Sequence, residues 1–263
     1  GNFQVQPGTR LLFTPDDQNS FWTAVSRSVR IPSLYQEENL DLGGFEVNHR
    51  DLSPEQTISY EAGYKTQPAK SFTADITGFY NSYRDLINYT PLLTPTFIPY
   101  GVGYDNTLKG DTYGTEVSAN WQVTEEWRLS GSYSLLKAFV EPQNDTGENV
   151  PLVVRESVDG SAPQNQYQLH SYLDITKNLQ FNTSVYYVDA LPTLAAPPLE
   201  SQKVPEHTRL DLNLQWEPRP NLSFTAGVQN LLQNRHSEFG NFNSSVMSDE
   251  IQRSYFVRCS WSF

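Results

Sequence analysis

Residues 251–263 read IQRSYFVRCSWSF. Counted in steps of two, Tyr255, Val257, Cys259, Trp261 and Phe263 fall on one side of an extended chain, and Ser254, Arg258, Ser260 and Ser262 fall on the other. Side chains alternate across a strand, so this pattern is a strand with one oily face. In water, such a strand invites edge pairing and aggregation. It becomes comfortable if the oily face meets lipid and both edges are paired within a barrel.

The rest of the chain repeats the pattern. The residues at 8–14 and 20–30 read as two strands around a polar turn at 15–19. Ile58, Tyr60, Ala62 and Tyr64 then oppose Thr57, Ser59, Glu61 and Gly63, and Phe72, Ala74, Ile76 and Tyr80 oppose Thr73, Asp75, Thr77 and Asn81. Val117 and Trp121 share a face, as do Trp127, Leu129 and Tyr133, while Leu169, Leu173 and Ile175 are followed by Phe181, Val185 and Tyr187. The cleanest case is Leu210, Leu212, Leu214 and Trp216 against Arg209, Asp211, Asn213 and Gln215, with Leu222, Phe224, Ala226 and Val228 next. Together with the terminal stretch these make about eleven strands. Short turns are expected at 67–70, 124–126, 177–178 and 217–220, and long polar connections at 31–54, 85–108, 141–164, 190–206 and 232–249.

Long and short connections therefore alternate, as in an up-and-down barrel with short turns on one side of an outer membrane and long loops on the other. Trp22, Trp121, Trp127, Trp216 and Trp261 all fall near a short turn or the carboxy end. That clustering predicts a girdle at the membrane interface, where indole rings prefer to sit. Polar residues at the alternate positions suit a hydrated or plugged lumen and would be unsatisfied in a dry core.

Composition narrows the function classes. The 263 residues are 37% hydrophobic and 13% aromatic, with formal net charge −12. Mean hydropathy is −0.54, and no run approaches the roughly 20 apolar residues of a membrane helix. An acidic balance does not suit nucleic-acid phosphates. The one cysteine, Cys259, rules out an intrachain disulfide and a multi-cysteine metal site. The amino end carries neither an initiator methionine nor a secretion pattern, and bacterial single-chain barrels have even strand numbers. The expected architecture is therefore all-β: an antiparallel transmembrane barrel portion of about eleven strands, half of a barrel of roughly 22.

Taken in order, the motifs resemble the TonB-dependent outer-membrane receptors. PGTRLLFTP (7–15) followed by FWTAVSRSVRIPS (21–33) is similar to their strand ending in Tyr/Phe-x-Pro and the next strand closing on Arg-x-Pro-Ser. LSPEQTISYEAGYK (52–65), FYNSYRDLI (79–87), GDTYGTEVSANW (110–121), PQNQYQLHSYLDI (163–175) and VQNLLQNRHSEFG (228–240) continue in family order. The resemblance implies the carboxy-terminal half of the barrel domain of an energised importer, lacking the plug and the amino-terminal segment that contacts TonB. It implies a terminal strand, with Tyr255, Val257, Trp261 and Phe263, read by the barrel assembly machinery. Outer-membrane lipid and lipopolysaccharide would surround the barrel. The implied ligand is a scarce small molecule or metal chelate, foremost in this family a ferric siderophore, with cobalamin or a saccharide also compatible.

Ligand contacts are expected from the long loops and upper lumen, with Arg30, Tyr100, Tyr104, Arg155 and His236 as candidates. Aromatic and cationic side chains suit anionic, aromatic iron chelates. The four histidines, His49, His170, His207 and His236, show no metal-ligand spacing, so no metal site and no cofactor are expected. A passive porin is the alternative reading. A barrel lipid hydrolase is a lesser one, since His170 and Ser184 point to the same side of neighbouring strands, although no nucleophile-elbow motif is present.

Overall fold

In a computed structural model of the chain, the described residues are 3–37, 40–41, 46–49, 52–93, 99–143, 162–191, 204–238 and 250–263. In chain order the elements are β1 (Gly8–Phe13), β2 (Asn19–Arg30), a single-turn helix α1 (Leu34–Glu37), β3 (Leu40–Asp41), β4 (Glu46–His49) and β5 (Glu55–Ala69). Then come β6 (Phe72–Leu93), β7 (Pro99–Gln122), β8 (Trp127–Pro142), β9 (Asn165–Thr176), β10 (Leu179–Val188), β11 (His207–Arg219) and β12 (Leu222–Gln229). The chain finishes with β13 (Arg235–Ser237), β14 (Glu250–Gln252) and β15 (Ser254–Trp261).

Eleven of these strands form one antiparallel meander in the order β1-β2-β5-β6-β7-β8-β9-β10-β11-β12-β15. Each strand pairs with its neighbour in sequence, as short turns require. The cross-strand register carries a single face through the whole sheet. Ile76 pairs with Val117, Val117 with Tyr133, Tyr133 with Tyr167 and Tyr167 with Tyr187. Farther on, Leu214 pairs with Ala226 and Ala226 with Val257. The opposite face bears Asp75, Glu116, Ser118, Ser132, Gln168, Asn182 and Asn213 along the same rows.

Among the described residues nothing covers the apolar face. Among the described residues only Leu108, Val140 and Val204 are buried apolar side chains, whereas Leu11 is 69% exposed, Tyr255 73% and Val257 81%. A water-soluble sheet of this size would bury its oily side against a second layer. Here that side is left for an apolar surrounding, and strands of 10 to 13 residues such as β9, β10 and β11 match the roughly 9–11 tilted residues that cross a bilayer.

Two belts of aromatic rings border the apolar band. Near the short turns lie Trp121, Trp127, Trp216 and Trp261, joined by Phe13, Phe21, Tyr64 and Phe224; Phe21 stacks on Tyr64 at 4.6 Å and Trp216 on Phe224 at 5.7 Å. Toward the long loops the belt is tyrosine: Tyr60–Tyr80, Tyr113–Phe139, Tyr133–Tyr167 and Tyr167–Tyr187 meet at 4.7–6.3 Å. The tryptophan belt is legible from the turns alone, whereas the tyrosines are spread through the strands and align only once the register is known.

Trp22 does not belong to the girdle. Its partners Leu12 and Gly63 place it on the polar face, opposite Phe21 and Thr23. The reason is steric. Gly63 leaves a gap across the strand pair that the indole fills, and a Cβ there would lie 2.3 Å from Trp22 Nε1. The Arg10 guanidinium covers the other side of the ring, 4.0 Å from its centroid, in the attractive geometry of a cation over an aromatic face. Phe256 covers Gly227 in the same way.

Three other expectations are corrected. The 85–108 segment is not a loop: β6 and β7 run on as a paired ladder, Ile87 with Asn106 out to Leu93 with Pro99. Its Gly, Asn and Asp residues suggested turns, but each strand satisfies the other's backbone groups. The turns at 67–70 and 217–220 are shorter than expected, since β5 continues to Ala69 and β11 to Arg219. Register shifts at Thr66/Ala69 and Trp216/Arg219 absorb Pro68 and Pro218, which have no N–H to donate. Finally, 251–263 is two strands, β14 and β15, because Ile251 pairs with His236 in a separate ribbon with β13.

Candidate functional site

The long-loop end of the sheet holds two knots of polar side chains. The first gathers around Asp85, which sits where the β6–β7 register shifts between Tyr83 and Leu86. Its φ of 56° is a left-handed conformation that Asp tolerates better than most residues. The Asp85 carboxylate accepts from Gln56 Nε2 at 2.9 Å and Gln143 Nε2 at 2.6 Å, while its own N–H donates to Gln143 Oε1 at 2.7 Å. Asn106 ties in the carbonyls of Asp85 and Ser53 and accepts from the Ser53 N–H at 2.7 Å. Arg27 bonds Gln56 Oε1 at 2.9 Å and the Val5 carbonyl. Strands β2, β5, β6, β7 and β8 are thus pinned together where the tall β6–β7 hairpin leaves the wall.

Beside this knot, Arg30 makes a two-point ion pair with Glu55, whose Oε1 also accepts from the Ile87 N–H at 2.8 Å. The guanidinium is therefore already paired in this state, though its side chain remains 55% exposed. Tyr104, opposite Tyr89 of β6 and His49 of β4, is half-buried in β7. Tyr100 is also part of the β7 backbone, but its side chain lies outside the described residues, as does all of Arg155.

The second knot is built on β11. Arg209 grips Asp211 two residues on, with Nε and Nη2 contacts of 2.6–3.1 Å. Asp211 Oδ1 accepts the Asn230 N–H at 2.9 Å, just past β12. Asn230 is fully buried, has φ 56°, and donates from Nδ2 to the Ile251 carbonyl at 3.1 Å. Leu231 N–H donates to the Leu210 carbonyl at 2.8 Å. These bonds hold the β13–β14 ribbon against the loop end of β11 and so lay His236 on His207, ring centroids 4.2 Å apart and 20° from parallel.

Both imidazoles are buried, His207 at 8% exposure and His236 at 6%. His207 Nδ1 and both nitrogens of His236 lack a hydrogen-bond partner among the described residues, an arrangement that costs about 1–3 kcal/mol per polar group when nothing else satisfies it. Glu238 Oε1 stands 3.5 Å from His236 Nε2, longer than a good hydrogen bond. On β11 the apolar band begins at Leu210, so His207 lies on its loop side. Burial, and then the neighbouring His236, push the His207 imidazole below the ordinary histidine range. His236, expected as an open loop contact, is instead packed inside. The expectation that the histidines are scattered held in sequence only, since a strand start and a loop ribbon 29 residues apart (236 − 207) converge in space.

His170 and Ser184 do face one another across β9 and β10, with Nδ1 and Oγ 2.9 Å apart. The ring lies between Tyr172 and Tyr186. Among the described residues no carboxylate hydrogen-bonds His170, so the third member that orients a hydrolytic histidine has no counterpart.

A wall of antiparallel strands with its oily side outward and its polar side inward defines a transmembrane β-barrel protein. The TonB dependent receptor-like, beta-barrel family model matches residues 2–231, and the chain belongs to that family. Its fold is similar to the ferric-catecholate import receptor Fiu of E. coli K12, with a TM-score of 0.74 and 16% identity over 97% of this chain and 34% of that one. It is similar also to the FrpB iron transporter of Neisseria meningitidis, with a TM-score of 0.75 and 14% identity over 99% of this chain and 39% of that one. The ferric yersiniabactin uptake receptor FyuA of Yersinia pestis gives 0.67, 20%, 99% and 37% in the same measures. The chain spans between a third and two fifths of the length of these structures.

Proposed function

We propose that the chain is the carboxy-terminal wall of an outer-membrane receptor that imports a scarce ligand by TonB-dependent active transport. The reading rests chiefly on one observation, a continuous apolar face across eleven paired strands in a chain of this family. Lipid and lipopolysaccharide surround that face. TonB acts through a part of the receptor upstream of these residues, and the barrel assembly machinery receives the terminal strand with Tyr255, Val257, Trp261 and Phe263. Cargo is captured at the long-loop end, where Arg30, Tyr100, Tyr104 and Arg155 are the candidate contacts, His236 being packed inside, and a ferric siderophore is the cargo class. The similar solved receptors named for ferric chelates support that class. The receptor binds and moves its ligand without changing it chemically.

The test is uptake by cells carrying the complete receptor, offered labelled ferric catecholates, ferric hydroxamates, cobalamin and oligosaccharides. Accumulation of a ferric chelate, abolished by a protonophore and by loss of TonB, is the expected result. Accumulation of cobalamin or an oligosaccharide instead would keep the transport class and replace the cargo. Free diffusion of all small solutes, insensitive to protonophore, would replace the reading with a passive pore.

A further inference from the structure

We infer that His207, His236 and Glu238 form a binding site for a divalent first-row transition-metal ion of the zinc and copper type. One donor atom from each of the three residues can be chosen so that all lie within 4.8 Å of one another. A metal about 2.1 Å from each nitrogen would draw them inward by a modest side-chain rotation. Two imidazoles with one carboxylate are a donor set suited to such ions, and less so to calcium or magnesium, which prefer oxygen alone.

Three features distinguish this from a chance pair of packed rings. First, the buried imidazole nitrogens at His207 Nδ1 and at both positions of His236 have no hydrogen-bond partner among the described residues, so one lone pair on each neutral ring is free to ligate. Second, the carboxylate already stands beside the rings, with Glu238 Oε1 3.5 Å from His236 Nε2. Third, both ligand-bearing elements are held from behind. Asp211 fixes Asn230, and Asn230 fixes Ile251, the strand partner of His236. Support of that kind orients metal ligands and raises affinity. Glu238 is exposed, which gives the ion a way in from solvent and leaves a coordination position open.

Bound there, the ion ties the loop ribbon of β13 and β14 to the start of β11. The inference stands apart from the transport reading, because the site can take a metal whatever the receptor's cargo.

The experiment uses the complete receptor in detergent micelles, stripped with chelator and titrated with zinc chloride by calorimetry. Tight uptake of one zinc per chain is expected in the native protein, lost in H207Q/H236Q and weakened in E238Q. Equal zinc binding by native protein and double variant would overturn the inference, as would no binding by the native protein. Should the double variant fail to fold, judged by the heat-dependent gel shift of an intact barrel, copper(II) electron paramagnetic resonance on the native protein decides. Coupling to two imidazole nitrogens supports the site, and a spectrum without nitrogen coupling refutes it.

Discussion

Trp22 and Gly63 show how one residue's size decides where its neighbour goes. The indole lies over the glycine because nothing larger fits, so Gly63→Ala must push the ring away or bend the strand. Such overpacking costs about 1–3 kcal/mol. In a Trp22→Ala background the same change should cost little, and urea unfolding of the two single variants and the double measures the difference. Additive effects would mean the pair is not in contact. At the short-turn end, Asp16 lies below the ordinary aspartate range because Asn19 Nδ2 and the Gln18 and Asn19 N–H groups all donate to its carboxylate. A lowered carboxyl pKa stabilises the folded turn above the ordinary value, and that contribution disappears as pH falls through the lowered one. Protection of the Gln18 and Asn19 amides from hydrogen exchange, measured against the intrinsic rate at each pH, should fall over that acid window in the native protein. In Asp16→Asn protection should not change over the same window; the same pH dependence in the two proteins would contradict the assignment.

At the scale of elements, the alternation along β11 was legible from the sequence, and so was the number of strands in the wall; the alternation of short and long connections was legible except between β6 and β7, where the ladder runs on to Leu93 and Pro99. Period-two patterning is set by local geometry, and a sheet with one oily face cannot slip register without exposing the wrong side chains. What the sequence concealed depended on distant partners. The outer half of the β6–β7 ladder reads as loop, since its Gly, Asn and Asp residues are stabilised by pairing and by the knot at Asp85. Pro68 and Pro218 look like turn formers until the register shifts reveal bulges. His207 and His236 come together only through Asp211, Asn230 and Ile251, none of which carries a metal-site spacing. The face assignment predicts a sharp contrast between adjacent residues on β11. Leu212→Arg, on the apolar face, should destabilise the folded protein in lipid vesicles by about 2–4 kcal/mol. Asn213→Arg, on the polar face, should be close to neutral, as read by urea titration of tryptophan fluorescence.

At the scale of the whole molecule, eleven strands with almost no buried apolar side chains among the described residues are a stable arrangement only if solvent differs on the two sides of the sheet. The bilayer supplies that asymmetry: hydrocarbon satisfies the apolar face, and from β2 to β12 each strand of the wall is paired on both sides, which satisfies the backbone groups within it. The ligand was the least legible part, because loops encode recognition in shape and in contacts between distant segments, while the wall encodes itself in a two-residue period. The most direct test of the account replaces Cys259 by Ser and attaches a nitroxide at each position from 209 to 216 in turn, in the complete receptor reconstituted in lipid. Relaxation by oxygen, which concentrates in hydrocarbon, should peak at Leu210, Leu212 and Leu214, and relaxation by a water-soluble nickel chelate should peak at Arg209, Asp211 and Asn213. Uniform access of the nickel chelate, or the inverse alternation, would contradict the placing of this face against the membrane.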